Sequence, residues 1–157
     1  MNKQIKIILF GVLLSVICSC EDQYNICDQP KDVNLKAGLY QVLAGVETPA
    51  MVPSFSLSIL GGSSLIYNQQ VNLSKFSLSL NPDIDSSKYF IQLSNSLPVD
   101  TLTIMHTAQS ILISPECGSV YIFSITGTRI THNSIDSVKV INPAVNTTSG
   151  ENIKFYY

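Results

Sequence analysis

The stretch Ser54-Phe55-Ser56-Leu57-Ser58-Ile59 decides the fold class. Three apolar residues alternate in it with three serines, so an extended chain would have one apolar face and one polar face. Successive side chains of a β-strand point to opposite faces of the sheet, and strict alternation is therefore typical of a half-buried strand. The stretch predicts a strand whose Phe, Leu and Ile side chains face a core.

The same period of two recurs along the rest of the chain. Further apolar or alternating runs lie at residues 76–80, 89–93, 102–104, 111–113, 120–125, 138–140 and 153–157. Turn residues separate these runs, at 61–63, 81–83, 95–98, 115–118, 126–127 and 142–143. No amphipathic helical pattern comes between them, so we expect an all-β, two-sheet antiparallel β-sandwich, immunoglobulin-like or similar, with about eight strands.

Residues 1–19 have the composition of a secretory signal peptide. Lys3 and Lys6 precede an apolar run over residues 7–17, for which a helix is expected. That run is too short to cross a bilayer, because a membrane-spanning helix needs about 20 apolar residues. We interpret it as a signal helix and not as a membrane span.

The signal ends in Ile17-Cys18-Ser19-Cys20, which resembles the bacterial lipobox. We expect Cys20 to carry the lipid, since a small residue precedes it, whereas the bulky Ile17 precedes the competing Cys18. A diacylglyceryl cysteine brings at least two acyl chains, such as palmitate, and two chains anchor a protein stably. The alternative is an ordinary signal peptide with a coincidental cysteine.

After the signal, residues 20–36 are polar and read as a lipidated tether, and residues 37–157 as the β-sandwich domain. Removal of Lys3 and Lys6 leaves seven basic and eleven acidic residues, a net charge near −4. Nothing in this balance favours nucleic acid as a partner.

Cys27 and Cys117 are the two cysteines that remain after the signal is removed and Cys20 is lipidated. In an oxidising compartment two such thiols usually form one disulfide, which we expect here. The rival interpretations are free buried thiols or a metal pair. A metal would need further His or Cys ligands, and the nearest, His106, is eleven residues from Cys117.

Several motifs together resemble a family of small Bacteroidota lipoproteins, about as long as this chain, that has no assigned function. They are the lipobox, the cysteine soon after it, and the stretches 64–68, 76–81, 113–118 and 152–156. The resemblance implies an exported domain without a catalytic residue. It also fits Cys117-Gly118 as the partner of Cys27.

Two further resemblances concern export and modification. Glu21-Asp22 is similar to the signal that sends some lipoproteins of these bacteria to the cell surface; a solvated tether is the alternative, and both readings place the anchor in the outer membrane. Asp100-Thr101-Leu102 and Asp136-Ser137-Val138 resemble the Asp-Ser/Thr-aliphatic sequence used there for O-glycosylation. Thr101 and Ser137 are therefore candidate acceptors at strand starts on the surface.

Catalysis and metal binding have weak support. His106 continues a strand face and is expected to be a strand-end or partly buried histidine, while His132 lies in a predicted loop. Neither stands near a nucleophile turn such as Gly-x-Ser-x-Gly, so we expect no enzyme and no cofactor. Asp83 and Asp85 match the first two ligand positions of a calcium-binding loop, but the residues at its later positions do not match. We therefore favour a solvated turn over a calcium site.

The leading hypothesis is a non-enzymatic interaction or structural module of the cell envelope, anchored to the outer membrane by lipid and facing either the periplasm or the outside. Its partner would be an envelope protein or an extracellular ligand. The alternative is a glycan- or calcium-binding accessory lipoprotein. The chain has no Trp for sugar stacking, but Tyr67, Tyr121 and Tyr156 are candidates for exposed aromatic side chains.

Overall fold

The computed structural model describes Cys27, residues 30–62 and residues 65–157. The described residues form eleven strands and no helix. The strands are β1 (Leu35–Leu43), β2 (Val46–Pro49), β3 (Phe55–Ile59), β4 (Leu65–Gln70), β5 (Lys75–Leu78), β6 (Ser86–Gln92), β7 (Asp100–Ser114), β8 (Gly118–Ile130), β9 (Ser137–Val140), β10 (Ala144–Val145) and β11 (Ile153–Tyr156). The expected signal helix lies outside the described residues. In the described part of the chain, no helix has the length and apolarity that crossing a membrane requires.

The strands form two curled sheets in a sandwich-like arrangement, which confirms the predicted fold class. In the five-stranded sheet the order is β2-β1-β11-β9, and β5 also pairs with β1. In the six-stranded sheet the order is β10-β8-β7-β6-β3-β4. Strand β1 is central, because β5 pairs with its first half, β2 with its second half, and β11 with its other edge.

One strand pair departs from the expected antiparallel arrangement. Strands β1 and β11 run parallel, from Ala37 opposite Ile153 to Tyr40 opposite Tyr156. The fully buried Asn152 holds the start of this pair: its Oδ1 accepts from the Lys36 backbone N–H at 3.0 Å, and its own backbone N–H donates to the Lys36 carbonyl at 2.7 Å. These hydrogen bonds thereby join two segments that lie 116 residues apart in sequence.

The core lies between the sheets and follows the predicted alternation at Phe55 and Leu57, whereas Ile59, which was also predicted to face the core, is 44% exposed at the end of β3. Phe55 and Leu57 are fully buried, while Ser56 and Ser58 between and beside them face outward. The ring of Phe76 links the two layers, since its centroid lies 4.7 Å from that of Phe55 and 5.3 Å from that of Phe155. Aromatic side chains in contact in this way contribute large apolar areas to a core.

The structure has more strands than the eight expected, for a physical reason. Strands β2 and β4 are exposed on both faces along most of their length, so their sequences carry little alternation. One difference lowers the count instead: the runs at 102–104 and 111–113, predicted separately, are parts of one 15-residue strand, β7. Strand β1 begins at the fully buried Leu35, within the segment that the sequence assigns to the tether.

Candidate functional site

Strands β7 and β8 form a long hairpin, and the predicted disulfide lies at its turn. Cys27 is bonded to Cys117 across a sequence separation of 90 residues, which confirms the predicted pairing. The Cys117 backbone N–H donates to the Ser114 hydroxyl at 3.0 Å, and Gly118 follows with φ of 75°, a left-handed conformation that suits glycine. The disulfide therefore fastens the start of the described chain to the tip of the hairpin.

The outer face of the six-stranded sheet carries an open groove of about 400 Å³. Phe90 of β6 lies in its middle, paired with Ser58 of β3 on one side and with Thr101 of β7 on the other. Leu65 and Val99 are also apolar and exposed. The groove is lined by Ser56, Leu57, Ser58, Leu65, Phe90, Gln92 and Val99.

Among the residues that the structure describes, no charged side chain lines this groove, and two of its polar side chains already form hydrogen bonds within the protein. The Ser56 hydroxyl accepts from the Gln69 backbone N–H at 3.2 Å, and the Gln92 amide donates to the Leu97 carbonyl at 2.9 Å. The rest of the groove offers the partly exposed Phe90 side chain beside the small hydroxyl group of Ser58. Its chemistry suits an apolar side chain or the apolar face of a sugar ring.

A serine and a histidine meet in the interior at the other end of β6. The Ser87 hydroxyl lies 2.9 Å from Nε2 of His106, and both side chains are more than nine-tenths buried. Ser87 also accepts from the Asn81 backbone N–H at 3.2 Å and lines a cavity of about 240 Å³. The sequence predicted a strand-end or partly buried histidine at position 106, but His106 is 1% exposed in the interior of β7. Its contact with Ser87, 19 residues away in sequence, was not predicted.

This contact lacks the orienting group of a catalytic triad. Within the described residues, Nδ1 of His106 has no hydrogen-bond partner, whereas a catalytic histidine is held by an acceptor at that atom. Burial lowers the pKa of His106, and the nearby charge of Asp85 acts in the opposite direction. The pair is therefore a buried hydrogen-bonded contact in the interior. The other histidine, His132, is exposed in the loop after β8.

A cluster of tyrosine, lysine and glutamate covers the outer face of the five-stranded sheet. Lys154 Nζ forms an ion pair with Glu47 at 2.6 Å and lies 4.5 Å from the centroid of the Tyr40 ring. The Tyr156 hydroxyl donates to Glu47 at 2.8 Å, and the Tyr40 hydroxyl donates to Glu151 at 2.9 Å. The two tyrosine rings are thus engaged within the protein and do not form an open stacking platform.

The pKa values of this cluster follow from these contacts. Hydrogen bonding to Lys154, followed by that to Tyr156, lowers the pKa of Glu47. Burial, with the hydrogen bond to Glu151 as the next cause, raises the pKa of Tyr40. Sequence analysis singled out Tyr156 but missed both glutamates, because Glu47 lies on the unpredicted strand β2 and Glu151 precedes β11.

The other predicted aromatic candidates separate into one core residue and one surface residue. Tyr67 is half-buried, and its ring packs at 5.7 Å from that of Phe55 and at 6.3 Å from that of Phe76. Tyr121 of β8 is 49% exposed on the hairpin.

The remaining site predictions fall at the surface or outside the described residues. Asp83 and Asp85 are exposed, and the described residues contain no group of three or more His, Cys, Asp or Glu that could hold a metal ion. Thr101 is half-buried as the second residue of β7, and Ser137 is exposed as the first residue of β9. Cys20 lies outside the described residues, and its lipidation stays a prediction, as does the glycosylation of Thr101 and Ser137.

Comparison with known proteins places the chain in one family. No curated protein matches it significantly. No solved structure does so either. Residues 54–157, which include strands β3 to β11, match the family of unknown function DUF6452. Because this match covers about two thirds of the chain, the protein belongs to the DUF6452 family.

Proposed function

We propose that the protein is a lipid-anchored envelope module of Bacteroidota that binds a partner through its sandwich domain. Cys20 carries the lipid in the outer membrane, and the domain performs no catalysis. The partner is another envelope protein, which inserts apolar side chains into the groove around Phe90.

The disulfide supports the export part of this proposal. Disulfides persist in oxidising compartments outside the cytosol, and Cys27 and Cys117 are bonded in the folded domain. A secretory signal before Cys20 would deliver the chain to such a compartment.

The single observation that carries the binding role is the uncharged groove around Phe90. Leu65, Phe90 and Val99 are 52%, 38% and 43% exposed, and they line the groove together with Ser56, Ser58 and Gln92. Exposed apolar side chains that cluster in a concave surface commonly mark binding sites. The neighbouring edge strand β4 is irregular, with register shifts against β3, which argues against the addition of a partner strand there.

The anchor is tested by protease shaving of intact cells that carry the wild type or Cys20→Ala, followed by detergent-phase partitioning. We expect the wild type to enter the detergent phase and the variant to stay in the aqueous phase. Shaving from intact cells would indicate surface display, whereas protection would indicate a periplasmic face. A wild type that stays in the aqueous phase would overturn the proposed anchor.

The binding surface is tested with a photo-crosslinking amino acid in place of Phe90, and in place of the exposed Lys139 on the other sheet as the control. We expect a discrete crosslinked envelope protein at position 90 that is absent at position 139. The same products at both positions, or none at position 90, would contradict the groove as the binding surface.

Glycan binding is a second candidate, favoured by the exposed part of the Phe90 side chain beside Ser58. Sugar rings stack on aromatic faces while hydroxyl groups fix their orientation. Titration of the protein with soluble capsular or mucin-type glycans should then show saturable binding that Phe90→Ala abolishes and Lys139→Ala preserves. Binding that survives Phe90→Ala would exclude this surface as the glycan site.

A further inference from the structure

The β7–β8 hairpin extends an apolar, almost uncharged tip away from the sandwich core. Residues 107–110 of β7 are all exposed, but Phe123, opposite Ala108 on β8, is 6% exposed and belongs to the core. The hairpin therefore extends past the core only beyond this pair. Glu116 is the single charged residue between positions 107 and 124. Leu112 is 66% exposed and Tyr121 is 49% exposed.

Leu112 and Tyr121 share one face of the hairpin. Leu112 pairs with Ser119, and Tyr121 pairs with Ser110. Paired residues of an antiparallel ladder project to the same side, as do residues two positions apart on one strand. The two large exposed side chains are therefore diagonal neighbours on one surface.

The disulfide fixes where the tether meets the domain. Cys27 is held at the hairpin tip through Cys117, and Cys20 lies seven residues before Cys27. Seven residues span at most about 25 Å when fully extended. A lipid on Cys20 would therefore keep the hairpin tip within that distance of the membrane surface.

We infer that the hairpin tip rests on the bilayer, with Leu112 and Tyr121 in the interfacial layer; this inference rests on the proposed lipid anchor. Leucine gains from leaving water, and the amphipathic ring of tyrosine suits the boundary between lipid headgroups and acyl chains. The hairpin between 107 and 124 has no lysine or arginine, so the contact is apolar and does not depend on anionic headgroups.

This contact would hold the groove away from the membrane. Phe90 pairs with Thr101, which precedes Ser110 by nine residues on β7. At about 3.3 Å per strand residue, the groove lies roughly 30 Å further along the strand than Tyr121. The domain would stand on its hairpin and present the groove to partners in the solvent.

The absence of tryptophan from the chain permits a direct test. Tyr121→Trp and, as the matched control, Phe90→Trp are prepared in the full lipidated protein. Each is reconstituted into vesicles of phosphatidylethanolamine and phosphatidylglycerol that contain brominated acyl chains, and tryptophan fluorescence and vesicle flotation are measured. Flotation reports the anchor, whereas quenching reports the depth of each tryptophan.

We expect both variants to float, with fluorescence at position 121 reduced about twofold and fluorescence at position 90 unchanged. Flotation without quenching at position 121 would overturn the inference while the anchor stands, and would leave the tip as a surface for a protein partner. Equal quenching at both positions would also overturn it, because the domain would then lie flat. Failure to float would overturn both the anchor and the inference.

A longer tether provides a second test that leaves the disulfide intact. Insertion of twelve Gly and Ser residues after Asp22 adds roughly 40 Å of reach between the lipid and Cys27. Quenching at position 121 should fall while flotation persists, since the tip is no longer confined near the bilayer. Unchanged quenching would contradict the role assigned to the short tether.

Discussion

The carboxylate of Asp100, at the start of β7, accepts a hydrogen bond at 3.0 Å from the backbone N–H of Ile135, between β8 and β9. The same carboxylate accepts from the backbone N–H groups of Asn133 and Ser134, each at 2.8 Å, and from the Thr131 hydroxyl at 2.9 Å. Asp100 is fully buried, so these four donors replace the water that it has lost. One side chain thus shapes the connection between the two sheets.

We expect Asp100→Asn to destabilise the domain by roughly 2 to 4 kcal/mol, because the amide nitrogen would face backbone donors that need an acceptor. The free energy of unfolding is measured by chemical denaturation. Asp136→Asn is the matched control, since Asp136 is exposed in the same loop and surface substitutions usually change stability by about 0.5 kcal/mol or less. Equal effects of the two substitutions would show that the buried carboxylate does not hold the loop.

Stability should decrease as the pH falls below about 6.5, the ordinary pKa of an unfolded histidine. Burial lowers the pKa of His106 in the folded state, so the unfolded chain binds the proton first and is favoured. The loss develops as the pH falls from that value toward the lower folded pKa. Unfolding midpoints measured between pH 8 and pH 5 would detect it; these two pH values bracket roughly the histidine range.

The matched variants for this pH dependence are His106→Phe and His132→Gln. His106→Phe keeps a ring next to Phe123, whose centroid lies 5.5 Å from that of His106, and should flatten the pH dependence. His132→Gln should leave it unchanged, because His132 is exposed. A slope that persists in His106→Phe would assign it to another group.

Gly38→Ala should disturb the surface cluster from beneath. An added Cβ would clash with Glu151 Oε2 and would lie 2.7 Å from Tyr40 Cε2, so both side chains would have to move. We expect loss of the hydrogen bond from Tyr40 to Glu151 with little change in unfolding free energy, because the atoms in the way are the far ends of side chains that can move aside. Gly62→Ala is the control, since its nearest contact would be an ordinary 3.4 Å.

The combined measurement for Gly38→Ala is denaturation and ultraviolet titration of tyrosine. Loss of Glu151 as a partner should lower the raised pKa of Tyr40 toward its ordinary value. A Gly38→Ala protein with the wild-type tyrosine titration would show that the hydrogen bond from Tyr40 to Glu151 survives the added Cβ.

Replacement of both Cys27 and Cys117 by serine should destabilise the domain by roughly 4 to 5 kcal/mol, the chain-entropy figure for a closed loop of this length. Reduction of the wild type should produce the same shift of the denaturation midpoint. If reduction leaves the midpoint unchanged, the bond contributes to placement of the tether and not to stability.

The fold class was predictable where each strand has one buried face. Phe55 and Leu57 are fully buried and alternate with outward-facing serines, so this short stretch of sequence was enough to predict a β-strand. The strand count was not predictable, because Glu47 on β2 and Gln69 on β4 belong to strands exposed on both faces, where hydrophobic burial leaves no period.

The candidate site was less predictable than the fold. The pairing of Cys27 with Cys117 follows from the number of cysteines and the compartment. The groove around Phe90 depends on strand neighbours, since Ser58 and Thr101 come from different strands, and the contact of Ser87 with His106 depends on register in the same way. Such contacts are set by tertiary pairing, which spacing along one strand does not encode.

The central position of β1 bears on how the domain can be cut. The stretch that defines the family begins at residue 54, whereas β1 ends at Leu43. A recombinant fragment trimmed to the family boundary would lose the strand that joins β5 to β11, and its five-stranded sheet would fall into separate pieces with unpaired edges. Recombinant proteins for crystallisation should therefore begin before Cys27. They then keep both β1 and the disulfide between Cys27 and Cys117 at the hairpin tip.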